Sequence, residues 1–188
     1  MQNYKTTNSV RNPIELLYQI GESVVNARST NQLTSHDSDS WQGIGFSLCG
    51  RQMVSRLGEV VEVLKLPDYT ALYGAEPWML GVVNVRSQLI VLVDLETYFG
   101  SSFSGNKSNL RVLMVEDGAS KIGLVVSKVF GLRSFPKSSF KSSVLGDDEL
   151  LSSCVNGVVE SSGESRSKAQ RWHRFSIENF LDRSYFGH

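Results

Sequence analysis

From residue 41 onward the apolar positions come in short runs, many with a period of two, broken by Gly, Ser or Pro. Ile44, Phe46 and Leu48 alternate with Gly45 and Ser47, the spacing of a strand with one covered face. Gly50 turns the chain and residues 53–57 return, which predicts a hairpin. Residues 60–66 form a further extended run, stopped by Pro67-Asp68. Residues 81–85 and 88–93 make a second pair; 110–115 and 122–126 make a third around the turn Glu116-Asp117-Gly118. Residues 129–135 continue the sheet, and 155–159 and 172–175 supply the last strands. About nine or ten short strands without a fixed repeat predict an all-β barrel fold. They do not alternate with long helices, so a Rossmann-type sheet is disfavoured.

Helix signals lie at the ends and the middle. Asn12-Pro13, with Glu15 close behind, reads as N-cap and first turn, and Ile14, Leu17, Ile20 and Val24 follow one stripe. This predicts a helix over 13–28, whose apolar face either packs on the protein's own barrel or serves as a docking helix for a partner. Residues 29–40 are a polar linker, so the chain divides into an extension over 1–40, one domain over 41–183 and a tail over 184–188. Asp94 is placed to cap a short helix through Tyr98, ended by Gly100. Ser176 caps a closing helix over 177–183 that buries Ile177, Phe180 and Leu181.

Charge and composition narrow the function by exclusion. The 188 residues carry 19 basic and 19 acidic side chains, a formal net charge of +0. No basic field exists to hold nucleic acid or an anionic membrane. The longest apolar runs are about six residues, far short of a membrane span. The apolar stretch near the N-terminus carries Glu15 and Glu22 and no cleavage pattern, so a cytoplasmic protein is expected. Cys49 and Cys154 are too isolated for a disulfide framework or a zinc site. His36, His173 and His188 are scattered without metal-ligand spacing. Gly100 and Gly105 open a run that nearly mimics a phosphate-binding loop, but Asn106 displaces Lys107 from the required position and a strand follows in place of a helix. Gly43-x-Gly45 lacks the third Gly of a dinucleotide fingerprint, and no nucleophile elbow occurs. Asp147-Asp148-Glu149 has the wrong spacing for a calcium loop. No catalytic constellation, metal site or cofactor site is expected.

One charge stands out. Arg86 sits between the apolar runs 82–85 and 89–93, where burial alone would be expensive. It is predicted to sit at a turn and point outward, its planar fork available to a partner's carboxylate or aromatic ring. The structural alternative is an internal pair with Asp94, or hydrogen bonds to carbonyls at the turn. Asn84 is suited to local backbone hydrogen bonding. Trp41, Trp78 and Trp172 are expected in the core, although Trp78 follows Pro77 at a surface turn.

Residues 76–95 also resemble the CheW family of chemotaxis adaptors. The family pattern Gly-x-x-Asn-x-Arg-Gly, followed by Pro and Asp, finds Gly81, Asn84, Arg86 and Asp94 in register. Ser87 stands where the family has Gly, and Val91 where it has Pro. Ser adopts positive φ only at a cost, and Val suits a strand interior better than Pro. Residues 59–64, the run Gly123-Leu124-Val125-Val126 with Val129, and residues 175–181 resemble further segments of the family in the same order, so the likeness extends from about Trp41 to Leu181. The N-terminal helix and Gly-Glu-Val-x-Glu-Val-Leu-x-x-Pro over 58–67 are most similar to the branch that serves twitching motility.

The resemblance implies two intertwined five-stranded β-barrel subdomains around a shared core, with an N-terminal helix, short peripheral helices and no catalysis. It implies a cytoplasmic adaptor coupling the tip of a methyl-accepting chemoreceptor-like protein to the CheW-like regulatory domain of a CheA-type histidine kinase. In the twitching branch that pathway controls type IV pilus extension and retraction. By the family pattern Val60 and Glu62 align with receptor-facing positions, and Asn84 and Arg86 join them as partner-binding residues. Strand alternation puts Val60 and Glu62 on one face and Val61 and Val63 on the other. The charge of Glu62 marks its face as wet, so Val61 and Val63 are the expected core pair. The competing reading is a stand-alone β-barrel binding module or a decoy adaptor that does not activate a kinase, motivated by Ser87 and Val91. An enzyme of unassigned chemistry stands third.

Overall fold

Where apolar side chains alternate, the chain is extended. The computed structural model describes residues 40–103, 105–143, 145, 149–161 and 170–184. The helix expected over 13–28, the linker up to residue 39 and residues 185–188 lie outside the described residues. Ten strands follow in order: β1 (Ser40–Leu48), β2 (Arg51–Arg56), β3 (Glu62–Lys65), β4 (Met79–Val85), β5 (Gln88–Asp94), β6 (Arg111–Asp117), β7 (Ser120–Val126), β8 (Lys128–Pro136), β9 (Val155–Ser161) and β10 (Gln170–Phe175). Three short helices accompany them, α1 (Leu95–Tyr98), α2 (Glu149–Ser153) and α3 (Ile177–Ser184).

The strands form two five-stranded sheets, ordered β8-β1-β2-β10-β9 and β3-β6-β7-β5-β4. The first and last strands both lie in the first sheet, with the second sheet inserted between β2 and β8, so the two units are intertwined. Neighbours are antiparallel except for β2 with β10 and β5 with β7. Each sheet curls toward closure in the same way. Thr70, beyond β3, bridges Val82 on the opposite edge strand β4; Lys141, beyond β8, bridges Val158 on the opposite edge strand β9. Bringing the edges together reduces the unpaired backbone that an open sheet would present. Residues 129–135 do not extend the β6–β7 sheet; they cross as β8 to pair with β1. The helix Glu149–Ser153 is not among the elements that the sequence pattern predicts.

Alternation explains the cores. Phe46, Leu48 and Met53 of the first sheet and Leu113, Val115, Ile122 and Leu124 of the second belong to one shared core. The intervening positions fill each unit's own interior. Val54, Phe135, Val159 and Trp172 pack within the first; Ile90, Leu92, Val112, Met114 and Val125 pack within the second. Strands β6 and β7 are therefore covered on both faces, which accounts for their continuous apolar runs. At the junction, Phe175 packs against Phe46 at 5.8 Å, and Tyr98 against Phe180 at 5.1 Å, in edge-to-face geometry. Trp172 is fully buried, whereas Trp41 and Trp78 are half-buried against the cores.

The expected caps are present. Asp94 accepts hydrogen bonds from the backbone of Glu96 and Thr97 and so starts α1; Ser176 accepts one from Asn179 and starts α3.

Candidate protein-interaction surface

Register places Val85 opposite Gln88, which leaves Arg86 and Ser87 as a two-residue connection between β4 and β5. Both have positive φ, 50° and 64°, the mark of a type I′ hairpin turn. Neither residue is glycine, so each carries a conformational cost. The turn projects Arg86 into solvent, as the isolated charge requires. Its Nη2 donates to Glu62 Oε1 of β3 at 2.8 Å, with the Arg86 side chain 78% exposed and that of Glu62 32%. The pair thus clasps the two edge strands of the second sheet. Asp94 is not the partner of Arg86, because both of its oxygens serve α1, including one bond from the Thr97 hydroxyl at 2.9 Å. Asn84 is exposed on β4, and its side chain hydrogen-bonds no other described residue.

Gly81 anchors the start of this hairpin. Its φ is 149°, and a Cβ there would collide with the Thr70 carbonyl that receives the Val82 N–H at 2.8 Å. The glycine of the motif is therefore required by a backbone-to-backbone approach.

The faces of 60–64 are the reverse of the expected ones. Val60 is 8% exposed and belongs to the shared core, whereas Val61 is 51% exposed and Val63 37%. Glu62 shares the covered side with Val60 at its rim, where Arg86 neutralises it, so its charge does not mark the wet face. The exposed valines of this edge are Val61 and Val63.

Val61 also joins two depressions. One lies beneath Arg86 and is walled by Glu62, Val85 and Ile90. The other is a groove of about 280 Å³ between the β2–β3 connection, the β6–β7 turn and α3. Its floor is Val61, Ile177 and Leu181, and its rim carries Glu59, Glu116, Asp117 and Asp182. Burial pushes the Glu59 carboxyl above its ordinary value; the Arg56 N–H and the Arg174 and Arg56 charges pull it back, and Glu178 adds repulsion. The groove therefore joins an apolar floor to an acidic rim. Sequence reasoning missed this groove because it is assembled from three separate segments. Among the described residues no group of three His, Cys, Asp or Glu could hold a metal ion, and no helix is long and apolar enough to cross a membrane.

Fold and surface together define an intertwined double-barrel β protein whose exposed chemistry lies on an edge and a groove. Residues 42–167 match the CheW-like domain family. Protein PilI of Pseudomonas aeruginosa is 35% identical over 167 residues, which cover 89% of this chain and 90% of the relative. The crystal structure of the scaffolding protein TtCheW from Thermoanaerobacter tengcongensis superposes with a TM-score of 0.61 at 22% identity, covering 73% of this chain and 89% of that one. The chain belongs to the CheW-like domain family.

Proposed function

We propose that this chain is a non-catalytic, cytoplasmic adaptor that couples a chemoreceptor-like protein to a CheA-type histidine kinase in a pathway controlling twitching motility. The observation that carries the reading is its 35% identity to PilI across about nine-tenths of both chains. The surface supports it physically. A receptor tip built as a helical hairpin needs an apolar strip with a polar rim, and Val61 with the acidic groove supplies one. Glu62, Asn84 and Arg86 supply the polar contacts at the outer end, and Val61 and Val63 replace Val60 as the apolar ones. Ser87 does not prevent the motif turn from forming, which removes one motive for a decoy.

The test is binding of the purified chain, and of Arg86→Ala, to a receptor signalling tip and to the CheW-like domain of a cognate kinase. Simultaneous binding of both, with either contact weakened about tenfold in a folded Arg86→Ala variant, is expected for a bridging adaptor. Binding to neither would overturn the proposal and leave a stand-alone barrel module.

A further inference from the structure

We propose that the cleft where the chain crosses from the second sheet to the first binds a small molecule carrying an oxyanion beside a flat apolar ring. Strand β7 ends at Val126, Ser127 makes the crossing, and β8 begins at Lys128. The cleft beside this crossing measures about 470 Å³, within the ordinary range for small-ligand sites. Its walls include Phe103, Asn109, Arg111, Ser127, Lys128 and Val129, and no carboxylate is among the described residues that line it.

Two basic side chains therefore line one open cleft without a carboxylate beside them. Neither Arg111 nor Lys128 belongs to an ion pair; the pairs among the described residues are Arg86–Glu62 and Lys121–Glu116. Lys128 rests over the Phe130 ring, 4.9 Å from its centroid, a contact that leaves the ammonium its charge. Arg111 gives Nη1 to the carbonyls of Ser108 and Leu110 at 2.9 and 2.8 Å. Those bonds fix the guanidinium plane while Nε and Nη2 donate to no described residue, an arrangement suited to the bidentate holding of an oxyanion.

The apolar half of the ligand is specified by the opposite wall. A Cβ at residue 105 would lie 2.9 Å from the Phe103 ring, so that ring lies close against the Gly105 backbone. Phe103 packs on the core of the second unit, and Val129 on the shared core. A flat ring stacked on Phe103 with its anionic group toward Arg111 and Lys128 would touch both cores at once. The run opened by Gly100 and Gly105 fails as a phosphate loop, yet it contributes a wall to a site whose cations come from strands β6 and β8.

The experiment is titration of the full chain with phenyl phosphate, followed by amide chemical shifts and calorimetry. Saturable shifts at Phe103, Ser127 and Lys128 with a millimolar or tighter Kd are expected, and Lys128→Met should weaken binding about tenfold. Benzyl alcohol, which keeps the ring without the charge, should not saturate the site. Competition by inorganic phosphate would assign the headgroup to phosphates, and competition by acetate alone would assign it to carboxylates. Absence of saturable shifts, or binding unchanged in both Lys128→Met and Arg111→Met, would overturn the proposal. Lys128 is exposed, so its variant keeps the test decisive even if Arg111→Met fails to fold. The outcome is independent of partner binding and leaves the adaptor reading where it stands.

Discussion

Two hairpins in this molecule turn through two residues with positive φ, and they are secured in opposite ways. Between β1 and β2 the turn is Cys49-Gly50, with φ of 50° and 70°. Between β4 and β5 it is Arg86-Ser87, with φ of 50° and 64°. The first turn has glycine at one of its two left-handed positions, and its Cys49 N–H is held at 2.9 Å by Glu96, a carboxylate only 5% exposed on α1. That bond ties the hairpin of the first sheet to the helix that follows the β4–β5 hairpin. The second turn lacks glycine, and its outside connection is the exposed clasp from Arg86 to Glu62. One turn is anchored inward for stability; the other holds residual strain at the surface, where the motif's charge is displayed.

The largest expected effect is on the inward anchor. Glu96→Ala removes the acceptor for a half-buried N–H and should cost about 1–3 kcal/mol by chemical denaturation. Glu96→Gln keeps an acceptor oxygen and should recover most of that loss. If Glu96→Ala proved neutral, the turns would not differ in how they are secured.

Next in size is the exchange of glycine between the turns. No atom lies within 4 Å of a Cβ built on Gly50, so Gly50→Ser should lose only the left-handed backbone cost, about 1 kcal/mol. Ser87→Gly should gain slightly less than that amount, because glycine also loosens the unfolded chain. Thermal midpoints moving in opposite directions would confirm that the strain is intrinsic to the backbone. A loss at Ser87→Gly would mean that the serine side chain contributes a contact that offsets the strain.

Legibility in the sequence divides along the same line between local and non-local causes. Strand positions, both turns, the Asp94 cap and the Ser176 cap follow from neighbours in the chain, and each was readable. The crossing of β8 to the first sheet is a pairing with residues about ninety positions away, and the apolar run 129–135 carries no mark of its partner. The faces of 60–64 are not legible in the sequence, because Glu62 alone signals solvent, whereas Arg86 from a distant hairpin neutralises it on the covered side. Helix α2 escaped because five residues are too few for a helical stripe to register. Of the partner-binding candidates, Arg86 and Glu62 were brought together, Asn84 lies exposed beside them on β4, and Val60 moved to the core.

The smallest expected effect is the most informative about the outward turn. An ion pair with one partner 78% exposed is worth about 0–1 kcal/mol after solvent screening and side-chain ordering. Arg86→Ala and Glu62→Gln should each shift stability by less than about 1 kcal/mol, and a double-mutant cycle should give a coupling of about 0.2–1 kcal/mol that fades in high salt. A coupling well above that range would make the clasp a structural brace for the β3 and β4 edges and would deny Arg86 to a partner. A weak clasp has the opposite consequence. The guanidinium can leave Glu62 for a partner's carboxylate at little cost to the fold, and the carboxylate it leaves remains hydrated at the rim. Binding lost in Arg86→Ala can then be read as contact chemistry, because the scaffold beneath it has barely changed.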